Sequence, residues 1–566
     1  MTMQYLPSAL ASAALTRRAF FGRAAVALAG TALGATLLSA CAPPAPAANR
    51  AANSAASQKL QLPVRIPIQG TTPDLPGTDI IPNGYTVYPK NLFKAVPTPP
   101  GKGGDVTLVT TLSLPVAPFE SNTLWQGVSK AMNVNLKLNL VPFADYSFGK
   151  FQTIVAGDDL PDLLFVPIGG VIPELPAFLE SKCADLTPYL SGDAVKDFPN
   201  LANLPTLAWK NVVFNGKLLG VPVAQSVFYW ALWMHQDLLD DIGSPPPASA
   251  DDFKRQLIAL NKPNAGQYGI GFEVGNRYAF SLTTTGGTFF PAIFGAPNNW
   301  QQAAGKFTKD FETEQFKAAV GFARDLFAAG VFDPNTTYTT PTARQAFQGR
   351  KLAFRFDGLT PVIWDGLPNQ TLTPPRKARL APPIPAVAGG KPSYNFGPGY
   401  FGTMVMKKAS PERIKELIGI LNFIASPIGS EEHLLLNYGI RGTDHVPDDN
   451  GNPILTQQGT ASLIPWTSVT NPAPVLYNAK AKDFAPVMQE AEKKLGAVGI
   501  YDDSVGLYSA TNQRQGVAVQ QRFADGMIDI VAGRRPLSDY DGLLKEWKTG
   551  GGDTIRGELE SAFASA

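Results

Sequence analysis

From Asp105 onward, short β-branched runs alternate with amphipathic stretches. Val106-Thr107-Leu108-Val109-Thr110 has the length and composition of a buried strand. The next stretch, Asn122 to Met132, carries Leu124, Val128 and Ala131 on one helical face. Val134, Leu136, Leu138 and Leu140 then alternate, which predicts a strand over 134–141. Phe151 to Ala156 reads as helix, and Asp162 to Val166 as another buried strand. Strand, helix, strand, helix, strand predicts a parallel sheet with right-handed crossovers. The α/β pattern persists further on. Ser249 is an N-cap candidate, with Asp252 at the third helical position and Phe253 and Leu257 facing inward. Glu314 to Ala329 is amphipathic through Phe316, Val320, Ala323 and Phe327, and Gly330 stops it. Residues 351–356 predict a strand. Ser410-Pro411 opens a helix through Ile414, Leu417, Ile418 and Leu421, with proline at its first position.

The first hundred residues have a different pattern. Arg17 and Arg18 precede an uncharged, Ala- and Leu-rich run from Ala24 to Ala40. That run falls short of the ~20 residues a spanning helix needs, so residues 1–40 read as a targeting segment. Thr16-Arg17-Arg18-Ala19-Phe20-Phe21 resembles the twin-arginine export motif, although Gly22 stands where many such signals carry lysine. Leu38-Ser39-Ala40-Cys41 resembles a lipobox, which implies acylation of Cys41 and a place on the outer face of the cytoplasmic membrane. Residues 41–104 hold Pro, Ala, Asn, Ser and Gly with little apolar periodicity. Such composition predicts a lipidated, semi-extended tether, with Val64 to Ile68 and Tyr85 to Tyr88 draping over the body.

Composition narrows the chemistry. Of 566 residues 44% are hydrophobic and 17% charged, with a net charge of +2. No basic run is interleaved with aromatics, so nucleic-acid binding is not expected. With Cys41 acylated, Cys183 has no partner and predicts a buried free thiol. The three histidines, His235, His433 and His445, lack metal-ligand spacing. Neither a metal nor a cofactor is expected.

Several segments, in order, resemble the solute-binding proteins of ABC importers, family 1, the group of maltose-binding protein, in a branch related to the alginate-oligosaccharide binders. Gly157-Asp158-Asp159-Leu160-Pro161-Asp162-Leu163 resembles a first-lobe turn of that group. Gly220-Val221-Pro222-Val223 resembles its hinge-crossing strand, and Trp230 to Leu239 the segment after that strand. Ala346 to Phe354, Asn437 to His445, Asp448-Asp449-Asn450-Gly451 and Gly550 to Ile555 resemble later elements. The resemblance covers about 105–566 and implies a two-lobed, periplasmic-binding-protein-like (type II) fold with hinge-crossing strands. It divides the chain into lobe 1 (105–228), lobe 2 (229–396), a lobe 1 return segment (397–450) and a C-terminal segment mostly on lobe 2 (451–566). It also implies an oligosaccharide ligand, an ABC permease partner, a monomer and no catalysis. A binder of another solute such as a peptide, or an extracellular carbohydrate-active enzyme, are the alternatives. The stretch Ser191 to Lys196, where alginate binders carry a calcium loop, lacks the alternating oxygen ligands such a loop requires.

In open α/β sheets ligands bind beyond the carboxyl ends of strands. Sugars need aromatic faces for their C–H surfaces and hydrogen-bonding groups for their hydroxyls. Those two rules select Phe119, Glu120 and Asn122 after the first strand, and Trp230 at the hinge crossing. Asp357 at a strand end, Tyr400 where the chain should recross the hinge, and Trp466 in a loop complete the strand-end candidates. Trp364 is added by the resemblance, because the matching strand end of maltose-binding protein supplies a sugar-stacking tryptophan.

Overall fold

Residues 60–67, 70–112, 115–157, 159–167, 175–272, 288–335, 340–359 and 377–565 are described by a computed structural model. The targeting segment, Cys41, Asp158 and Trp364 lie outside the described residues.

The first β-branched run forms β1 (Asp105–Leu112). Asn122 caps α1 (Thr123–Met132), its side chain accepting from the Trp125 amide at 2.8 Å. The alternating run is β2 (Asn135–Pro142) and the next apolar run is β3 (Leu163–Pro167). Both pair with β1 in parallel, as the strand–helix alternation predicts. Two later strands extend this sheet. They are β4 (Val221–Ala224) and β9 (Tyr400–Met406), the latter returning from elsewhere in the chain and therefore antiparallel to both neighbours. The order is β2-β1-β3-β9-β4. Its core joins Val106, Leu108, Leu124, Val128, Leu163 and Phe165 to Met404, Leu417 and Ile418, the last two on α4 (Pro411–Ile424). Ser410 caps that helix through the Arg413 amide. This body is lobe 1. Cys183 is buried in it as a free thiol, and desolvation pushes its thiol up to about 12.

Lobe 2 is built on a four-stranded sheet. Its strands are β5 (Trp230–His235), β6 (Tyr268–Gly271), β7 (Leu352–Gly358) and β8 (Ala378–Leu380), in the order β8-β5-β7-β6. The β6 and β7 strands are parallel, and β5 runs against β7 and β8. Helix α2 (Ala250–Ala259), capped by Ser249, and α3 (Glu314–Ala328) supply Phe253, Leu257, Phe316, Val320 and Ala323 to its core. Late helices α6 (Val517–Val531) and α7 (Tyr540–Trp547) close the same core through Phe523, Ile530 and Trp547.

Among the described residues, three segments of the body connect the lobes: 225–229, 396–399 and 470–475. They are laced together by backbone and side chain. Gln225 N donates to Gly399 O at 3.0 Å, Gly397 N to Val227 O at 2.8 Å, and Asn471 Nδ2 to Ala224 O at 3.0 Å. Gly399 has φ +76°, a conformation that glycine adopts without penalty.

The structure corrects the expected division at two places. The return segment runs past 450 to about 470. Ile464, Trp466 and Val469 sit in the lobe 1 core, and the Thr110 hydroxyl donates to Ser468 O. Only after the third crossing does the chain reach α5 (Phe484–Gly496) and the late lobe 2 helices.

The second concerns 60–67 and 70–104, expected as part of a tether: the draping expected at Val64 to Ile68 and Tyr85 to Tyr88 is found at Val64 to Pro67 and Tyr85 to Tyr88, with Ile68 outside the described residues, and it extends beyond those two stretches. This segment is a strap docked on both lobes. It starts on lobe 1, with Val64 N and Ile66 N donating to Gly192 O and Ala202 O at 3.1 and 2.8 Å. It then crosses to α5, where the Gln489 amide donates to the carbonyls of Leu75, Pro76 and Pro82 at 3.1–3.3 Å. Here Asn83–Gly84 pairs in parallel with Val475–Leu476. Leu75, Leu476, Ala485 and Met488 pack in one cluster with Trp233 of β5. The strap returns to lobe 1 through Ala95 N and Val96 N, which donate to the Glu432 carboxylate at 3.0 and 3.1 Å. The Tyr88 hydroxyl shares a 2.9 Å hydrogen bond with His433 Nδ1, an imidazole that burial pushes down to about 4 and so keeps neutral. Prolines keep this strap extended, and its apolar residues dock singly, so no periodic pattern announces it.

Candidate ligand site

The crossings fix which sheet edges face the ligand. Residues 225–229 leave the carboxyl end of β4 and enter the amino end of β5. Because β5 runs against β7 with Trp230 opposite Gly358, the carboxyl ends of β7 and its parallel neighbour β6 lie at that same edge. In lobe 1, Gly402 lies opposite Pro167 and Tyr400 opposite Ala224, so the amino end of β9 joins the carboxyl ends of β3 and β4. Both sheets therefore turn their carboxyl edges toward the crossings, as the general rule for open α/β sheets requires.

On lobe 1 this edge is aromatic. Phe143 follows β2 directly, is 38% exposed and stacks on Phe401 at 5.8 Å. Phe401 in turn stacks on Phe165 at 5.9 Å. Tyr400 is half-buried beside it, and desolvation pushes its hydroxyl up to about 12. Phe119 is 36% exposed and lies edge-on to Trp125 at 5.4 Å. Glu120 is exposed, with its backbone carbonyl accepting from Gln126. Asn122 is fully buried: its oxygen caps α1 and its Nδ2 donates to Ala117 O at 3.3 Å. That amide is committed to the fold. Trp466 is buried in the lobe 1 core beside Ile464 and Val469, and its Nε1 has no hydrogen-bond partner among the described residues.

On lobe 2 the edge has a different chemistry. The Trp230 ring lies nearly parallel to Phe356 of β7 at 5.8 Å, and Tyr229 meets it edge-on at 5.1 Å. Trp230, Phe356, Thr288, Phe289 and Asn395 line a pocket of about 30 Å³. Trp230 Nε1 and Asn395 Oδ1 are both buried and have no hydrogen-bond partner among the described residues. Asn395 spends its Nδ2 on Thr288 Oγ1 at 3.1 Å. A buried polar atom without a partner costs about 1–3 kcal/mol. The volume suits one water or one hydroxyl, and a hydroxyl can serve a donor and an acceptor at once.

Asp357 is 1% exposed and already saturated. Its carboxylate accepts from Arg344 Nε at 2.9 Å, from Arg355 Nη1, and from the Gly358 amide at 2.6 Å. With Arg355 equally buried, Asp357 serves as the counter-ion of a buried guanidinium, which leaves no lone pair for a sugar. The expectation that Asp357 meets a ligand is therefore corrected. The structure brings Trp230 together with Phe356 and Asn395, and Tyr400 with Phe401 and Phe143. Asn395 and Phe143 are contributors that the sequence patterns do not single out. Phe143 carried a signal of its own, an aromatic one residue past a strand end.

Similarity to known proteins agrees with this architecture. No protein-family model matches the chain. It is 22% identical over 451 residues to the polygalacturonan/rhamnogalacturonan-binding protein YtcQ of Bacillus subtilis (strain 168), covering 78% of this chain and 87% of that one. It is 21% identical over 504 residues to lipoprotein LipO of the same organism, covering 82% and 93%. The solved structure of alginate-binding protein AlgQ2 matches with a TM-score of 0.58 and 14% identity over 84% of this chain and all of that one. The fold is thus that of the type II, two-lobed solute-binding proteins of ABC importers.

Proposed function

We propose that the protein captures an oligosaccharide between its two lobes and hands it to an ABC permease. Lobe closure about the three crossings would bring the aromatic edge of lobe 1 and the Trp230 pocket of lobe 2 onto one ligand and exclude water. The observation that carries the site is the pairing, in one pocket, of the stacked Trp230–Phe356 rings with the unspent Trp230 Nε1 and Asn395 Oδ1. Rings pack the C–H face of a sugar, and the two polar atoms take a hydroxyl. The sequence relative that binds polygalacturonan and the structural neighbour that binds alginate support a carbohydrate ligand.

Acyl chains on Cys41 would hold the protein at the outer face of the membrane, a reading that the lipoprotein relative supports. The strap shortens the leash: from Cys41 to Leu60 the chain spans at most about 65 Å fully extended. Palmitate labelling lost in Cys41→Ser tests the anchor. Calorimetry and thermal shift against oligogalacturonides, alginate oligosaccharides and short peptides test the ligand class. Sugars are expected to raise the melting temperature, since a ligand of the native state alone stabilises it. A response to peptides and to none of the glycans would sink the carbohydrate reading.

A further inference from the structure

Behind the crossings, under the strap, lies a cavity of about 730 Å³. Each of the three crossings contributes to it, through Gln225 to Val227, Gly399 and Ala473 to Val475, and the strap lines it from Gly77 to Asn83 and at Arg65, Pro67, Thr71 and Tyr85. The cavity is half open to solvent, and its volume falls within the range of small-molecule sites.

The groups lining it divide into spent and unspent. Thr78 Oγ1 accepts from Ile81 N, Asn83 Oδ1 from Gly77 N and Ser226 Oγ from Phe228 N, so these three serve the backbone. Among the described residues, Arg65 and Asp79 are the only charged ones lining the cavity, and they pair with each other at 3.2 Å. By contrast, the side chains of Asn203, Thr206 and Gln225 and the Tyr501 hydroxyl make no hydrogen bond among the described residues, and Arg65 Nε is buried without a partner there. Ile80, Ile81, Leu207 and Val227 supply apolar wall between them. Uncharged amides and hydroxyls interleaved with aliphatic surface, with Arg65 paired to an Asp79 carboxylate that stands in solvent, suit an uncharged polyhydroxyl compound. An anion would meet no unpaired cation among these lining residues.

We propose that this cavity is a second binding site, for a small neutral sugar or polyol, separate from the cleft. It does not depend on the oligosaccharide reading of the cleft, which the oligogalacturonide and alginate titrations test by themselves. The test is saturation-transfer NMR and calorimetry on the full chain in detergent, with glucose, sucrose and glucuronate as probes. Saturable binding of at least one neutral sugar is expected, with none of glucuronate. The double variant Asn203→Ala/Gln225→Ala is expected to weaken it at least tenfold, and Trp230→Ala to leave it unchanged. If the double variant melts abnormally, Thr206→Trp, at an exposed helix start, obstructs the cavity instead and should abolish the signal. Absence of saturable binding by both neutral sugars, equal binding of glucuronate, loss in Trp230→Ala, or persistence in both cavity variants overturns the proposal.

Discussion

At its ligand-facing edge lobe 1 leaves hydrocarbon in water, with Phe119 and Phe143 each more than a third exposed. Lobe 2 does the opposite: its rings are stacked inward, and the groups without partners are the polar atoms of Trp230 and Asn395. The difference shows two ways of storing binding energy. Lobe 1 stores it as apolar surface still to be covered, at roughly 25 cal/mol per Å². Lobe 2 stores it as hydrogen bonds still to be made, which discriminate more sharply because a ligand lacking the right hydroxyl leaves them unmade. Lobe 2 therefore should set specificity, and lobe 1 should add affinity with little preference.

That division requires lobe 2 to be held rigid, and the largest expected effect tests its support. Asp357→Ala would take from the buried Arg355 guanidinium, and from Arg344 beside it, the carboxylate they share. Removing one partner of a buried pair typically costs about 3–5 kcal/mol. Urea unfolding is expected to show a loss of that size. A loss under about 1 kcal/mol would mean that the pair is hydrated and that lobe 2 is less rigid than its packing indicates.

The next effect concerns the joint between the lobes. Glu492 of α5 is almost fully buried, its Oε2 has no partner among the described residues, and desolvation pushes its carboxyl up to about 8 from the ordinary 4.5. The folded protein thus keeps this proton at a pH where the unfolded chain releases it. Stability is fully present below pH 4.5 and falls as pH rises toward 8, by as much as about 4–5 kcal/mol at ~1.4 kcal/mol per pH unit. Glu492→Gln should remove that slope and melt higher than the parent at pH 8. Parallel melting curves for the two proteins between pH 4.5 and 8.5 would refute this.

How far the sequence could be read follows the same physics. Strands and caps written in local periodicity, such as β1, β2, Ser249 and Ser410, were legible to within a residue or two. The strap was legible only at the two stretches expected to drape, because its other contacts are single residues separated by prolines and reach partners such as Gln489, some four hundred positions away. Site residues divide similarly. Trp230 stands at a crossing, where the sequence places it, but nothing local shows that the Asp357 carboxylate is already engaged within the fold. Its role depends on Arg344 and Arg355, whose approach is a tertiary fact. The burial of Trp466 is likewise a tertiary fact, since a loop rich in Pro and Thr here folds into a core.

Between the lobes themselves, Trp230→Ala should be the larger cleft effect. It removes a stacking face and a hydrogen-bond donor together, for a loss of about 2 kcal/mol or thirtyfold in oligosaccharide affinity, on the scale of an interface hot spot. Asn395→Ala is expected to cost less in affinity but to narrow the preference among glycans, because only a polar partner is lost. Titrating both variants against a glycan panel separates the two. Equal loss across every glycan in Asn395→Ala would count against lobe 2 as the reader of hydroxyls.

The smallest expected effect is the most direct comparison. Phe143 is the better probe of lobe 1, because Phe401 is sandwiched between Phe143 and Phe165 and its removal would disturb the core as well. An exposed ring stacked on one neighbour should contribute about 1 kcal/mol to binding, so Phe143→Ala is expected to weaken every glycan about fivefold and by the same factor. Its melting temperature without ligand should stay near the parent's, since the ring is already partly in water. If Phe143→Ala instead changed the ranking of glycans, lobe 1 would be reading the sugar too. The contrast between an edge that adds affinity and an edge that chooses would then have to be given up.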